Sequence, residues 1–277
     1  MRVRYSFSSR HTGNIENITK QRKKFPKVAL DVINISDIIL EVLDARFPQE
    51  TRNLEVEEII KEQNKKIIYV LNKSDLVNVK ETRKEINKLN LYPHVFVSSK
   101  QRKGSRELRN RIKIEIKKIK TNFERAQVGI IGYPNTGKSS LINFLTGKTS
   151  AKTASEAGFT KGMQKLSLSK DILIIDTPGV IPNEKYSQEI RETTQHAKVG
   201  ARDYNKIKEP DFVIAELMKN YSKQIQDFYN IDADNDSEIL IEQLGRKKNF
   251  IKKHNQIDID RTARLVLRDW QEGNIRI

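Results

Sequence analysis

Apolar residues along this chain follow two different rules, and the change falls near residue 205. Upstream, short β-rich runs are separated by amphipathic stretches: DIILEVLD (37–44), KIIYVL (66–71), HVFVSS (94–99), QVGIIG (127–132) and DILIID (171–176). Near-continuous apolar runs of this length predict strands covered on both faces, and their alternation with helical stretches predicts a mostly parallel sheet. KLSLS (165–169) alternates and predicts a weaker strand. Residues 106–120 fit two periods. Ile112, Ile114 and Ile116 alternate as in a strand, whereas Leu108, Ile112, Ile116 and Ile119 keep helical spacing. The longer match predicts a helix whose other face collects Arg106, Arg109, Lys113, Lys117 and Lys120.

Downstream the periods are helical only. Ile214, Leu217, Met218, Tyr221, Ile225 and Phe228 fall on one face. Ile259, Ala263, Val266, Leu267 and Trp270 form a second stripe, with Asp258 placed as N-cap. The fold class expected is α/β: a domain with a mostly parallel sheet over 1–205, basic in its first 36 residues, then a small all-helical domain over 206–277.

Composition narrows the class. The chain has 277 residues, 36% of them hydrophobic, enough for the core of one or two domains. It has no cysteine, which excludes disulfide scaffolds, iron–sulfur clusters and thiolate zinc sites. No apolar stretch approaches the ~18–20 residues that span a bilayer, and MRVRYSFSSR lacks the apolar core of a secretory signal. A reducing interior, the cytoplasm, is the expected compartment, with no membrane partner.

Chemistry enters with GYPNTGKS, Gly132 to Ser139, which fits G-x-x-x-x-G-K-[ST] between a predicted strand and a predicted helix. Its glycines let the backbone of Asn135, Thr136, Gly137, Ser139 and Ser140 wrap phosphates. Lys138 would neutralise β- and γ-phosphate charge, and Ser139 would ligate Mg²⁺. DTPG follows the strand DILII; Asp176 would hold Mg²⁺ and the Gly179 amide would contact the γ-phosphate. NKSD (72–75) ends another strand. A carboxylate at Asp75 can accept two hydrogen bonds from guanine, whereas adenine offers no matching donor pair. Asn72 and Lys73 would brace that loop and pack on the base. At SSK (98–100) the Ser99 amide would meet the guanine oxygen, with Ser98 and Lys100 beside it.

The order of these motifs is unusual. NKSD and SSK precede the phosphate loop, no second N-K-x-D follows DTPG, and no later strands exist to carry one. A circular permutation explains this: cutting between the third and fourth strands and rejoining the old ends leaves spatial neighbours intact. The ordered set NKSD, SSK, GYPNTGKSS, GFTKG, DTPG, together with DARFP (44–48), resembles the YlqF/RbgA-type circularly permuted GTPases, assembly factors of the large ribosomal subunit. The resemblance implies that Thr160 of GFTKG is a second Mg²⁺ ligand and acts in hydrolysis. It implies that Asn135 helps bind K⁺ near the phosphates, and that Val180 stands where many GTPases carry a water-orienting glutamine. It makes His11 the candidate N-terminal catalytic histidine, although SSRHTGN lacks the family's apolar lead-in. His94 and His254 read as ordinary, and His196 follows DTPG. It also implies that LGRKKNF (244–250) and 258–275 form an ANTAR-like RNA-binding domain.

Net charge agrees with a polyanionic partner. The chain carries 52 Lys+Arg against 36 Asp+Glu, +16 overall. Residues 1–27 hold eight Lys/Arg against one acid, 100–126 eleven against three, and 246–276 nine against four, whereas 227–242 hold six acids and no Lys or Arg. Arg246, Lys247 and Lys248, with Arg261, Arg264 and Arg268 on one face of the last helix, are the expected ribosomal RNA contacts. The expectation is a slow, Mg²⁺-dependent GTPase, stimulated by K⁺ and by the particle, that binds ribosomal RNA of a large-subunit precursor and is a monomer off the ribosome. The segment 180–205, ordered by the γ-phosphate, would couple nucleotide to the helical domain. Rival readings are a non-catalytic GTP-dependent RNA-binding protein, a GTPase acting on another RNA or on translation, and an ATPase.

Overall fold

The computed structural model describes residues 29–121, 124–147, 164–176, 197–200 and 203–277. Six strands form one sheet in the order β3–β2–β1–β4–β6–β5. They are β1 (Ile38–Asp44), β2 (Lys66–Asn72), β3 (His94–Phe96), β4 (Ala126–Ile131), β5 (Gln164–Ser169) and β6 (Ile172–Asp176). All neighbours are parallel except β5 and β6. The sheet is the one the apolar runs predict. Only β3 is shorter by more than one residue, as Ser98 pairs with Lys103 instead.

Central strands explain the continuous hydrophobic runs. Every residue of β1 and β4 is buried. One face, with Leu40, Val42, Val128 and Ile130, packs on α4 (Ser105–Ile116) and α5 (Lys138–Thr146) through Leu108, Ile112 and Leu141. The other face, with Ile39, Leu43 and Leu71, packs on α2 (Leu54–Glu62) and α3 (Val79–Lys88) through Val56, Ile60 and Ile86. Helix α1 (29–35) adds Ile33 to that side. The upstream and downstream halves meet at the β1–β4 pairing, locked at its start by reciprocal bonds between Asp37 and Gln127. The 106–120 ambiguity resolves as a helix, with Ile114 exposed.

The downstream part is helical: α6 (Pro210–Tyr229), α7 (Ser237–Lys247) and α8 (Ile259–Gln271). Asp258 caps α8 as expected. Its core gathers Trp270, Val266, Leu240 and Ile214, and reaches across to Phe47 after β1 and Tyr133 after β4. Two residues expected inside are outside. Phe228 is 43% exposed because Tyr221 leaves helical geometry (φ −131°, ψ 24°), and the turn beyond it presents Tyr229 inward instead. Ile259 is 53% exposed because the first turn of α8 borders an open groove shared with Phe212. No helix among the described residues is long and apolar enough to cross a membrane.

A buried acidic pair lies between β1 and α2. Glu57 accepts both the Arg52 fork and the Tyr69 hydroxyl. Glu41, in the middle of β1, accepts the Asn53 amide. Burial and the neighbouring Glu57 charge push the Glu41 carboxyl up to about 8. A raised acid favours the folded state fully below its ordinary pKa of about 4.5, and that advantage is lost as pH climbs to about 8. Glu41→Gln keeps the acceptor for Asn53 and cannot ionise. Its stability relative to wild type should therefore grow between pH 5 and pH 8.5, on the order of 2–4 kcal/mol, in urea melts at the two pH values. A gap that does not change with pH would show that Glu41 is charged in the fold.

Candidate nucleotide-binding site

The phosphate loop leaves the end of β4 and enters α5 at Lys138. Two glycines are required by space. Gly132 has φ +146°, and a Cβ there would stand 2.4 Å from the Val42 carbonyl. Gly137 has φ +91°, and a Cβ would stand 2.2 Å from the Asn72 amide nitrogen. The Thr136 hydroxyl donates to Tyr133 O at 2.9 Å. Lys138, nearly buried, donates through Nζ to the Gly132 and Tyr133 carbonyls at 3.0 and 2.5 Å. Its charge thus stands at the amino end of α5, where backbone N–H groups and the helix dipole favour an anion. Ser139 follows it half-buried, and Ser140 faces solvent.

The second loop comes from the upstream half. Asn72 ends β2, donates to Thr136 O at 2.8 Å, and accepts from the Ser99 hydroxyl at 3.0 Å and the Ser99 amide at 3.3 Å. One side chain therefore ties together the phosphate loop, NKSD and SSK, despite their permuted order. The Ser98 hydroxyl donates to Asp75 and accepts the Gln101 amide, which holds the carboxylate in place. Lys100 is exposed and borders the same cleft as Asp75. Lys73 takes a left-handed backbone (φ 60°) and turns its Nζ to Asp44, 2.8 Å away.

Asp44 is the residue sequence reasoning underused. DARFP carried the family resemblance, and the structure gives two of its residues a task. Asp44 is fully buried and receives Arg46 Nε and Nη2 at 3.0 and 2.8 Å as well as Lys73. Burial alone would raise its carboxyl; the Arg46 and Lys73 charges outweigh that and hold it well below the carboxylate range. Burial, with Arg46 nearby, lowers the Lys73 ammonium despite the Asp44 charge. Arg46 also donates from Nη1 to the Trp270 carbonyl at 2.9 Å.

Asn135 donates its amide to Gly200 O at 2.7 Å. Asp176 ends β6 opposite Ile130 of β4, so its backbone stands beside the strand that launches the phosphate loop. Ser139 lies in the first turn of α5, which the phosphate loop joins to β4, the strand beside β6. His11, Thr160, Gly179, Val180 and His196 lie outside the described residues.

The expected RNA contacts divide. Arg261 stacks on Phe250, its guanidinium 4.1 Å from the ring centre, and Lys248 is exposed. Arg268, 44% exposed, lies 3.6 Å from Asp269. Arg246 pairs with Glu242. Lys247 donates to the Tyr229 carbonyl at the end of α6. Arg264 is a clamp: it donates to the Tyr204 and Ile207 carbonyls and pairs with Asp260. On α4, Arg106 and Lys113 are exposed, as are its C-cap Lys117 and Lys120 just beyond, whereas Arg109 bonds the Leu145 carbonyl.

Known proteins resemble this chain in sequence and in fold. A family described as RsgA GTPase matches residues 21–184, and one described as 50S ribosome-binding GTPase matches 127–244. An uncharacterized GTP-binding protein of Methanocaldococcus jannaschii is 40% identical over 261 residues, 91% of this chain and 67% of that protein. Nucleolar GTP-binding protein 2 of Saccharomyces cerevisiae is 34% identical over 265 residues, 92% of this chain and 53% of that protein. The same protein of Pneumocystis carinii is 35% identical, with 51% of its length covered. This chain thus spans about half the length of those nucleolar relatives. The crystal structure of GNP-bound YlqF from T. maritima superposes with a TM-score of 0.65 at 24% identity, covering 91% of this chain and 95% of that one.

Proposed function

The chain belongs to the circularly permuted GTPases, and from that premise we propose that it binds Mg²⁺–GTP, hydrolyses it to GDP and phosphate, and works on ribosomal RNA of a large-subunit precursor. The observation that carries the nucleotide reading is Asn72, whose side chain joins the Thr136 carbonyl to Ser99 and so assembles one site from permuted motifs. Asp75 reads the guanine edge, Lys73 and Lys100 flank the base, and Ser98 and Ser99 brace them. Lys138 leaves the loop carbonyls for the β- and γ-phosphates, which present stronger acceptors, and the amides of Gly137, Lys138, Ser139 and Ser140 hold the remaining oxygens. Mg²⁺, held by Ser139, Thr160 and Asp176, would draw negative charge from those oxygens, and the Gly179 amide would complete the γ-phosphate cradle. Water attacks the γ-phosphorus, the bond to the β–γ bridging oxygen breaks, and GDP leaves. With Val180 in place of glutamine, water would be oriented otherwise; His11 is our candidate, and Asn135 would help hold a K⁺, which would supply positive charge near the phosphates.

Family names support the particle: one matching family is described as 50S ribosome-binding and several relatives as nucleolar. The exposed cations of α4, with Arg261, Lys248 and Arg268, make the RNA footprint, and the protein acts as a monomer in the cytoplasm. GTP turnover with K⁺ or Na⁺, with and without large-subunit precursors, tests the activity. Stimulation by both is expected; no turnover under any condition overturns it. Co-sedimentation with mature ribosomes but not precursors overturns the assembly role. Binding to ribosomal RNA should weaken at least ~10²-fold between 50 and 200 mM salt. Reversing Arg106, Lys113 and Lys117 should lower the log–log slope by about one per contact, and an unchanged slope would remove α4 from the footprint.

A further inference from the structure

We propose that the carboxyl end of α8 is a working part of the guanine subsite, with Arg46 as the positioning residue that joins them, so that the seating of the helical domain sets guanine affinity. This rests on the GTP reading above.

The first observation is that Asp44 is shared. Its Oδ2 accepts Lys73, the residue placed on the base, at 2.8 Å, and also Arg46 Nη2 at 2.8 Å. Arg46 Nη1 meanwhile holds the Trp270 carbonyl at 2.9 Å, in the last turn of α8. The guanidinium lies 5.1 Å from the Phe47 ring centre and 5.9 Å from that of Trp270, and its side chain is 1% exposed. A rigid fork with donors on three sides can serve both partners at once; a lysine ammonium at the same place reaches one. Any tilt of α8 therefore moves Arg46, and with it the carboxylate that orients Lys73.

The second observation is direct contact. Gly273, two residues beyond α8, has φ +73°, and a Cβ there would stand 2.4 Å from Leu76 Cδ1. Leu76 follows Asp75. Beside them lies a cleft of about 350 Å³ with Asp75 and Lys100 on one wall and Phe228, Asn274 and Arg276 on the other. A guanine presenting its N1 and 2-amino hydrogens to Asp75 would turn that edge toward this cleft. The outward position of Phe228 thus gains a purpose as part of the outer wall.

The same helix end is tied to the phosphate side. Trp270 Nε1 donates to the Lys198 carbonyl and Gln271 Nε2 to the Ala197 carbonyl, both at 2.9 Å, and Asn135 of the phosphate loop holds Gly200 at 2.7 Å. Base loop and phosphate loop are therefore both referenced to one helix terminus. By linkage, a ligand that binds the helical domain more tightly in one seating of α8 changes guanine affinity, and guanine changes that ligand's affinity by the same factor.

The test uses the full chain. Calorimetry measures GDP, and Mg²⁺–pyrophosphate as a base-free ligand, on wild type, Arg46→Lys and Arg46→Met. Hydrogen exchange follows residues 268–277. The expected result is a GDP Kd raised ~5–50-fold in both variants, with pyrophosphate within about twofold, the range usual for coupled sites. GDP should slow exchange over 270–276 in wild type and not in the variants. Equal losses for both ligands would mark Arg46 as structural only and overturn the proposal. So would unchanged GDP affinity in a folded variant. Should a variant fail to fold, the wild-type measurement decides: no GDP-dependent protection over 270–276 overturns it. Wild type that binds pyrophosphate but no guanine nucleotide would overturn the GTPase reading itself.

Discussion

Replacing Asp75 by asparagine should lower GTP affinity by about 10³-fold or more and turn the site toward xanthosine triphosphate. A pocket built to accept hydrogen bonds rejects a mismatched ligand by ~10⁴–10⁵ when buried polar groups are left facing the wrong partner. The Asp75 carboxylate is held by the Ser98 hydroxyl, which is itself fixed by the Gln101 amide, so the acceptor cannot swing away to avoid a mismatch. Asparagine would point an N–H₂ at the guanine 2-amino group, donor against donor. Xanthine carries a carbonyl there and accepts instead. ATP should stay weak in both proteins, because adenine supplies no donor pair in either case. Competition against a fluorescent guanine nucleotide with GTP, XTP and ATP measures all three. Unchanged preference for GTP in the variant would sink the assignment of NKSD as the base reader.

Asp44→Asn should cost about 3–5 kcal/mol of stability, the usual penalty when one member of a buried ion cluster is removed. At roughly 2–4 °C per kcal/mol for a chain of this size, the melting temperature should fall by about 6–20 °C. Two cations would lose their shared counter-ion: Arg46, whose side chain is 1% exposed, and Lys73, at 18%. The pH dependence has a definite sign. Asp44 is held below the ordinary carboxylate range, so its contribution is complete above pH of about 4 and fades as pH falls further. The gap between variant and wild type should therefore be constant through neutral pH and narrow only in acid. Adding Lys73→Met to Asp44→Asn removes one orphaned charge and should restore part of the loss. Calorimetric scans of the single and double variants check this. A double variant less stable than the single would show that Lys73 does not depend on Asp44.

Much of the fold was legible because buried parallel strands cannot disguise themselves. IILEVLD and AQVGII are apolar almost throughout, since both faces of β1 and β4 are covered. The permutation was legible too, because motif order is a property of the chain and not of its packing. Thr136 and Ser99 come together on Asn72 despite the permuted order of their motifs. What the sequence hid was long-range. Nothing near Arg46 announces that its third donor meets a carbonyl at residue 270. Helical periodicity put Phe228 inside because a wheel assumes an unbroken helix, and Tyr221 breaks it. The basic residues were counted correctly, yet their roles depend on which carbonyls and carboxylates the fold brings near. Arg264 became a clamp and Lys247 a helix-end partner for that reason, and not through any feature of their own segments.

The β1–β4 pairing also bears on how the protein is made. Strands β3, β2 and β1 are neighbours in the sheet and all precede the phosphate loop in the chain. At the usual elongation rate of 5–20 residues per second, the 66 residues from Asn72 to Lys138 take about 3–13 s to synthesise. Helix α2 precedes that interval and α3 is complete within it, and the two cover one face of the three-stranded half-sheet. The nascent chain therefore presents first the half that carries NKSD and SSK, with β1 as an open edge waiting for β4. Under the proposed function, birth order would run from nucleotide recognition to nucleotide chemistry.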